Sequence, residues 1–145
     1  MGEINLKNVN LTKLQIIPHD KGNILKGLDN SELDFESFGE AYFSKINSGE
    51  IKGWKFHKKM KLNLLVPIGN VRFVFYDFKN DVFREEVIGD DNYCRLTVPP
   101  KIWFAFQGLS KSSSLVLNIA SITHNPEESI SKPIETFAFN WEKLN

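Results

Sequence analysis

Apolar and polar residues alternate with a period of two along most of the chain, in short runs that turn residues break. Lys13–Ile17 reads as a first strand, closed by Pro18-His19-Asp20-Lys21-Gly22. The polar stretch Ser31–Gly39 reads as loop or a single helical turn. Glu40–Asn47 alternates, with Ala41 and Phe43 on one face and Tyr42 and Ser44 on the other. After a turn at Ser48-Gly49-Glu50 come Ile51–His57 and Lys61–Ile68. Gly69-Asn70 has the composition of a tight turn of type I′ or II′. Val71–Phe78 is rich in β-branched and aromatic residues, and Asp81–Ile88 follows it. Beyond a turn at Gly89–Asn92, Tyr93–Val98 leads into Pro99-Pro100, a pair that cannot sit inside a ladder. Ile102–Leu109 and Ser114–Ser121 flank a serine-rich loop, and Ile134–Trp141 reads as a last strand. No run carries helical periodicity with caps.

About ten short strands at spacings of roughly 8–12 residues predict an all-β fold, a sandwich or barrel. The expected form is a cupin-type double-stranded β-helix, a jelly-roll barrel whose pocket is lined by alternate residues of facing strands. A length of 145 residues suits a single domain, 1–145. Twelve Phe and three Trp predict an aromatic-rich core or pocket. Eighteen basic residues balance eighteen acidic ones, so no basic field points to nucleic acid. A single cysteine, Cys94, excludes an intrachain disulfide. The first residues lack the pattern of a signal peptide, and Leu6 stands where a myristoylation signal needs Ser or Thr. No apolar run approaches the ~20 residues of a membrane span. The expectation is a cytoplasmic protein with no membrane or nucleic-acid partner.

The stretch GWKFHKKMK, Gly53 to Lys61, carries the candidate chemistry. Its spacing is that of a metal-binding cupin strand: Gly53, then Lys55-Phe56-His57 for His-x-His, Lys61 for a Glu, and Gly69 as the closing glycine. Pro99-Pro100-Lys101-Ile102-Trp103-Phe104 matches the second metal segment in spacing. One ligand of four, His57, survives, and two ammonium groups on one rim repel a divalent cation, so no metal and no other cofactor is expected. A pocket holding Lys and His still binds anions and moves protons. Period two places Lys55 and His57 on one strand face, with Lys61 in phase if no bulge intervenes. The opposite face carries Trp54 and Phe56, so one face must line a cavity if the other is core. Asn63 and Asn118 interrupt apolar strands and are either structural amides or sugar-hydroxyl contacts. Tyr42 and Tyr76 alternate with polar neighbours and either could supply a phenol, and His124 precedes an Asn-Pro turn.

The segments DKGNILKGL, FGEAYFSKINSGEIKGWKFHKKMKLNLLVPIGNVRFVFYD, LTVPPKIWFAFQGL and NPEES occur in one order over 18–141. In that order and spacing the chain resembles the dTDP-4-dehydrorhamnose 3,5-epimerases and their short relatives. The resemblance implies a metal-free cupin, usually a homodimer. It implies action on a nucleotide-linked 4-keto-6-deoxy sugar for surface polysaccharide such as lipopolysaccharide. The chemistry implied is removal of a proton next to the ketone and its return on the other face. Lys55 stands at the position of that family's catalytic histidine, after Lys52-Gly53-Trp54, and His57 lies two residues on. The family's cationic lysine falls near Lys61 or Leu62, and Thr123-His124 stands where its catalytic tyrosine would be. Lys21 and Lys52 are the candidates for phosphate contact. Lys55 and His57 are therefore the expected acid/base pair, with Lys52, Lys61, Asn63, Tyr76, Asn118 and His124 as expected substrate contacts. The other reading left open is a carbohydrate-binding cupin that has lost catalysis.

Overall fold

The computed structural model describes residues 5–142. Its strands in chain order are β1 (Asn10–Lys13), β2 (Ile16–Ile17), β3 (Ile24–Leu25), β4 (Glu40–Ile46), β5 (Ile51–His57) and β6 (Leu62–Ile68). They continue with β7 (Asn70–Asp77), β8 (Val82–Gly89), β9 (Cys94–Val98), β10 (Trp103–Gly108), β11 (Ser114–Ala120) and β12 (Ser129–Ser131). Two five-stranded sheets result, β1-β9-β6-β11-β4 and β12-β5-β10-β7-β8, with β2 and β3 forming a separate small hairpin. Every pairing is antiparallel.

Within the two large sheets only β7 and β8 are consecutive strands that pair with each other. Otherwise the chain crosses from one sheet to the other at each connection from β4 onward, which is the jelly-roll topology of a cupin. Gly69 makes one such crossing, between β6 in one sheet and β7 in the other, and is a corner rather than a hairpin turn. A Cβ there would sit 2.2 Å from Ser114 Oγ, and φ is +88°. Only glycine fits that corner.

Period two places the core. Leu62, Leu64 and Val66 of β6, Leu96 and Val98 of β9 and Val116 of β11 point inward from one sheet. Val71, Phe73 and Phe75 of β7 and Phe104 of β10 meet them from the other. The alternate residues of β5, β7, β8 and β10 make a second cluster on the outer face: Trp54, Val74, Trp103 and Ala105, with Phe56, Tyr76 and Phe83.

Besides the Gly69 corner and the short strand β12, two predicted strands differ from the sequence reading. Ile134–Trp141 is not a strand. Pro133 precedes it and cannot donate to a ladder, Ile134–Thr136 is a 3₁₀ turn, and no strand follows up to Trp141. Its alternation is real, but its partner is a surface of side chains: Ile134, Phe137, Phe139 and Trp141 cover the outer aromatic cluster. Phe137 packs 5.2 Å from Trp54 and 4.4 Å from Tyr76, centroid to centroid. The buried Arg72 guanidinium ties this strap down, donating to Gln107 Oε1 and to the carbonyl of Trp141 and lying 5.5 Å from the Phe139 and Trp141 rings. The second difference is Lys13–Ile17, which splits. Leu14 N–H still bonds Tyr93 O beyond the end of β1, but Lys26 N–H bonds Gln15 O, so the chain leaves the sheet to form the β2–β3 hairpin.

Candidate active site

Strand β5 is the centre of the site, and its register explains what it presents. Lys52 pairs with Phe106, Gly53 with Ala105, and Lys55 with Phe104, so Trp54 is an extra residue and the ladder bulges. Plain alternation from Lys52 would send Lys55 to the opposite face. The bulge resets the phase, and Lys52, Lys55 and His57 all line the cavity between the sheets. Trp54 instead goes to the outer cluster, wholly buried, with Nε1–H donating to Ile134 O at 3.0 Å. Gly53 is required here: its φ is +140°, and a Cβ would lie 2.3 Å from Ala105 Cβ.

The cavity has a volume of about 250 Å³. Leu64, Val116, Phe104 and Phe106 give it apolar walls, and Tyr42, Ser44, Lys52, Lys55, His57, Asn118 and Ser131 give it polar groups. Among the described residues no carboxylate lines it. Lys52 Nζ sits between Ser44 Oγ, at 3.0 Å, and Lys45 O, at 2.5 Å. The Lys55 ammonium has no side-chain hydrogen bond or ion pair among the described residues. The chamber is therefore cationic, with one charge uncommitted.

His57 is 8% exposed and stacks on Phe104 with ring centroids 6.2 Å apart. Its Nδ1 lies 2.7 Å from Glu128 Oε1. Glu128, 6% exposed, also accepts from Lys59 N–H at 3.0 Å and Met60 N–H at 2.8 Å through its other oxygen. Burial pushes the Glu128 carboxyl up, but the bonds from His57 and the two backbone N–H groups outweigh it and hold the group below its ordinary value. A carboxylate so fixed accepts Nδ1–H and leaves Nε2 as the ring nitrogen open to a ligand. That is the geometry of an oriented general base.

Of the expected residues, the fold brings Lys52, Lys55, His57 and Asn118 into one cavity. It places five others elsewhere. Lys61 follows the end of β5, where the backbone of Lys59 and Met60 turns to bind Glu128; its N–H bonds Ser121 Oγ and its charge acts on Asp34. Asn63 faces away from the core, bonded to Thr97 Oγ1 at 2.6 Å and to Asp34 O. Tyr76 belongs to the outer aromatic cluster; the Asp81 carboxylate that accepts from its hydroxyl holds the phenol above its ordinary pKa. His124 is exposed in the loop after β11, and Lys21 is exposed in the β2–β3 turn.

Two residues of the site lie outside the expected set. The sequence offers Tyr42 and Tyr76 as equal phenols, and only the sheet partner of β4 separates them: β4 lies beside β11 at the cavity, whereas Tyr76 faces outward from β7. Glu128 left a weaker trace. Asn125 caps a 3₁₀ turn with Pro126 at its start, so a turn was readable, but not which glutamate points inward. Among the described residues no three His, Cys, Asp or Glu side chains stand together as a metal-ion site, and no helix is long and apolar enough to cross a membrane.

Comparison with known proteins agrees with this architecture. The model of the FdtA family, described as WxcM-like, C-terminal, matches residues 7–139. The spore coat polysaccharide biosynthesis protein SpsL of Bacillus subtilis strain 168 is 26% identical over 145 residues, spanning 94% of this chain and 96% of that protein. A dTDP sugar isomerase from Desulfovibrio desulfuricans G20 superposes with a TM-score of 0.90 at 30% identity, over 96% of this chain and 94% of that one. A dTDP-4-dehydrorhamnose 3,5-epimerase from Bacillus anthracis strain Ames, solved with TDP and pyrophosphate, superposes at 0.82 over 99% of this chain and 90% of that one. At 18% identity that last likeness is one of fold. It is the cupin fold expected from the sequence.

Proposed function

The chain belongs to the FdtA family, WxcM-like C-terminal, and we propose that it is an isomerase of a nucleotide-linked 4-keto-6-deoxy sugar. It would move a proton next to the ketone, in the making of surface polysaccharide. Epimerisation at the same carbon is the same chemistry with the proton returned to the other face. The observation that carries this reading is the His57–Glu128 pair, buried and facing a cavity that is otherwise cationic.

In this reading His57 Nε2 takes the proton from the carbon next to the ketone. The C–H electron pair becomes the C=C bond of an enolate, and negative charge collects on the former carbonyl oxygen. Lys55, with no counter-ion among the described residues, stabilises that charge. It thus works by charge at a position where the related epimerases place their histidine, and His57 is the base. The uncommitted ammonium group of Lys55 supplies the positive charge that a metal ion supplies elsewhere, so we assign no metal and no other cofactor. At about 250 Å³ the cavity is smaller than the roughly 300–1,000 Å³ of pockets for drug-sized ligands. It suits the sugar ring, and the diphosphate would lie at the mouth beside Lys52. The dTDP sugar acted on by the similar isomerase supports this nucleotide class.

A cytoplasmic homodimer fits the same reading. The outer face of the β1-β9-β6-β11-β4 sheet carries Phe43, 63% exposed, beside half-buried Leu117 and Ile119, and β4 has an unpaired edge. The test of the enzyme is incubation with dTDP-4-keto-6-deoxyglucose in deuterium oxide, followed by proton NMR. Deuterium at the carbon next to the ketone, with a new keto sugar, is expected. Binding of the substrate without any exchange would refute the assignment.

A further inference from the structure

The Lys55 side chain, uncommitted among the described residues, is aimed into the cavity by its backbone alone. That backbone adjoins the bulge. Gly53 pairs with Ala105 and Lys55 with Phe104, and Trp54 between them has no partner on β10. A residue that its ladder skips gets no register from that ladder. A slip of one residue would turn Lys55 from the cavity to the outer face.

Trp54 is held from the other side. Its N–H donates to Lys132 O and its carbonyl accepts from Lys132 N–H, both at 3.0 Å. Its indole N–H donates to Ile134 O, also at 3.0 Å. In β12 Ser131 pairs with Lys55, so the Lys132 bonds carry that pairing one residue past the end of the strand. The indole ring lies 5.2 Å from Phe137 and 5.9 Å from Trp141, centroid to centroid. The strap that covers the outer cluster therefore grips the one residue of β5 that β10 leaves unpaired. Successive residues of a strand point to opposite faces, so an indole fixed outside fixes Lys55 inside. His57 has a different support, since Glu128 orients its ring directly.

We infer that Trp54 is the positioning residue of Lys55, and that segment 132–141, acting through Trp54, sets where the positive charge of the site stands. This rests on the isomerase reading above, in which that charge holds the enolate. Trp54 borders the cavity, but its ring belongs to the outer cluster, so it acts through its neighbour rather than on the sugar.

The test is a double-mutant cycle. Wild type, Trp54→Phe, Lys55→Met and the double variant are given dTDP-4-keto-6-deoxyglucose in deuterium oxide. NMR gives kcat, calorimetry the affinity for dTDP, and urea unfolding the stability. Trp54→Phe keeps an aromatic ring and removes the bond to Ile134 O. It should lower kcat roughly tenfold or more, because a shift of about 1 Å in a catalytic group costs up to about 100-fold, with dTDP affinity within about threefold of wild type. In the Lys55→Met background the same substitution should change kcat by less than about twofold, while its cost in stability remains. A residue that only supports the fold would carry its loss of rate into both backgrounds. Phe139→Leu is the control: its ring packs on Phe83 and Trp141, and its loss should lower stability and leave kcat unchanged. Phe137→Ala withdraws the half-buried ring beside Trp54 and should show the same dependence on Lys55, which keeps the test open should Trp54→Phe not fold. A wild-type kcat in Trp54→Phe, equal factors in the two backgrounds, or an equal fall in Phe139→Leu overturns the role of Trp54 while the isomerase reading stands. Absence of exchange in the wild type overturns the two together.

Discussion

Replacing Glu128 by glutamine tests the site at its most defined point. Both backbone donors, Lys59 N–H and Met60 N–H, address the same carboxylate oxygen, and His57 addresses the other. An amide in this place keeps two bonds only by turning its oxygen to the backbone. Its NH₂ group then faces His57 Nδ1, which must accept, so the ring proton moves to Nε2. The nitrogen facing the cavity becomes a donor and can no longer take a proton. Loss of a general base costs typically 10²–10⁴ in rate, or about 3–5 kcal/mol of barrier at roughly 1.4 kcal/mol per decade. The fold loses much less, about 1–2 kcal/mol, since one charge-assisted bond is replaced by a neutral one. The assay is kcat from the NMR exchange experiment, alongside calorimetric titration with dTDP and urea unfolding. Binding of dTDP should stay within a few-fold of wild type. A Glu128→Gln enzyme that turns over at the wild-type rate would refute the orientation argument, and so would loss of dTDP binding in proportion to activity.

Other outcomes follow from the same geometry. Lys55→Met should lower kcat by roughly 10²–10³ with little change in dTDP affinity, and Lys55→Arg should recover part of the loss in steady-state assays. Glu128 is held below its ordinary 4.5, so its bonds stabilise the fold fully above that value and are lost as pH falls through the lowered folded-state value. Thermal melts taken downward from about pH 5 should therefore show an acid decline that is shallower in Glu128→Gln. Gly53→Ala should cost about 3 kcal/mol or more in urea unfolding, because φ is +140° and the new Cβ would meet Ala105 at 2.3 Å. Phe137→Ala should cost about 2–3 kcal/mol, less than for a fully buried Phe, because the ring packs on Trp54, Tyr76 and Trp103 but is only half-buried.

Strand positions were legible because a two-residue period survives wherever one face is buried. β7 and β10 are good examples: Phe73, Phe75, Phe104 and Phe106 go inward while Val74, Trp103 and Ala105 go outward. The same period misled at Ile134–Trp141, since a strap lying flat on a sheet alternates as a strand does, and only Pro133 hinted at the difference. It also misjudged Gly69-Asn70, because a sheet-to-sheet corner and a hairpin turn ask for the same residues. In the site, local spacing was enough to bring Lys55 and His57 together on one strand. Lys52 reached the same face through a bulge that no spacing rule announces. Asn63, Tyr76 and Lys61 lie near the site in sequence order, but their strand faces or endings depend on partners far along the chain. Glu128 was hidden for the same reason: nothing local distinguishes it from Glu127.

The separation between His57 and Glu128, 71 positions along the chain, has a consequence for assembly. Closing a loop of that length costs on the order of 4 kcal/mol of chain entropy unless intervening structure has already shortened it. The intervening strands do so in the folded molecule, where β6 to β11 fill out both sheets and β12 pairs beside β5. If that pairing follows the formation of the sheets, Glu128→Gln should have a folding φ-value near zero. Interactions made that late act mainly on the rate of unfolding. Glu128 then works as a latch on the finished molecule: its bonds to His57, Lys59 and Met60 hold the β12 edge to the strand that carries the proton-transfer machinery.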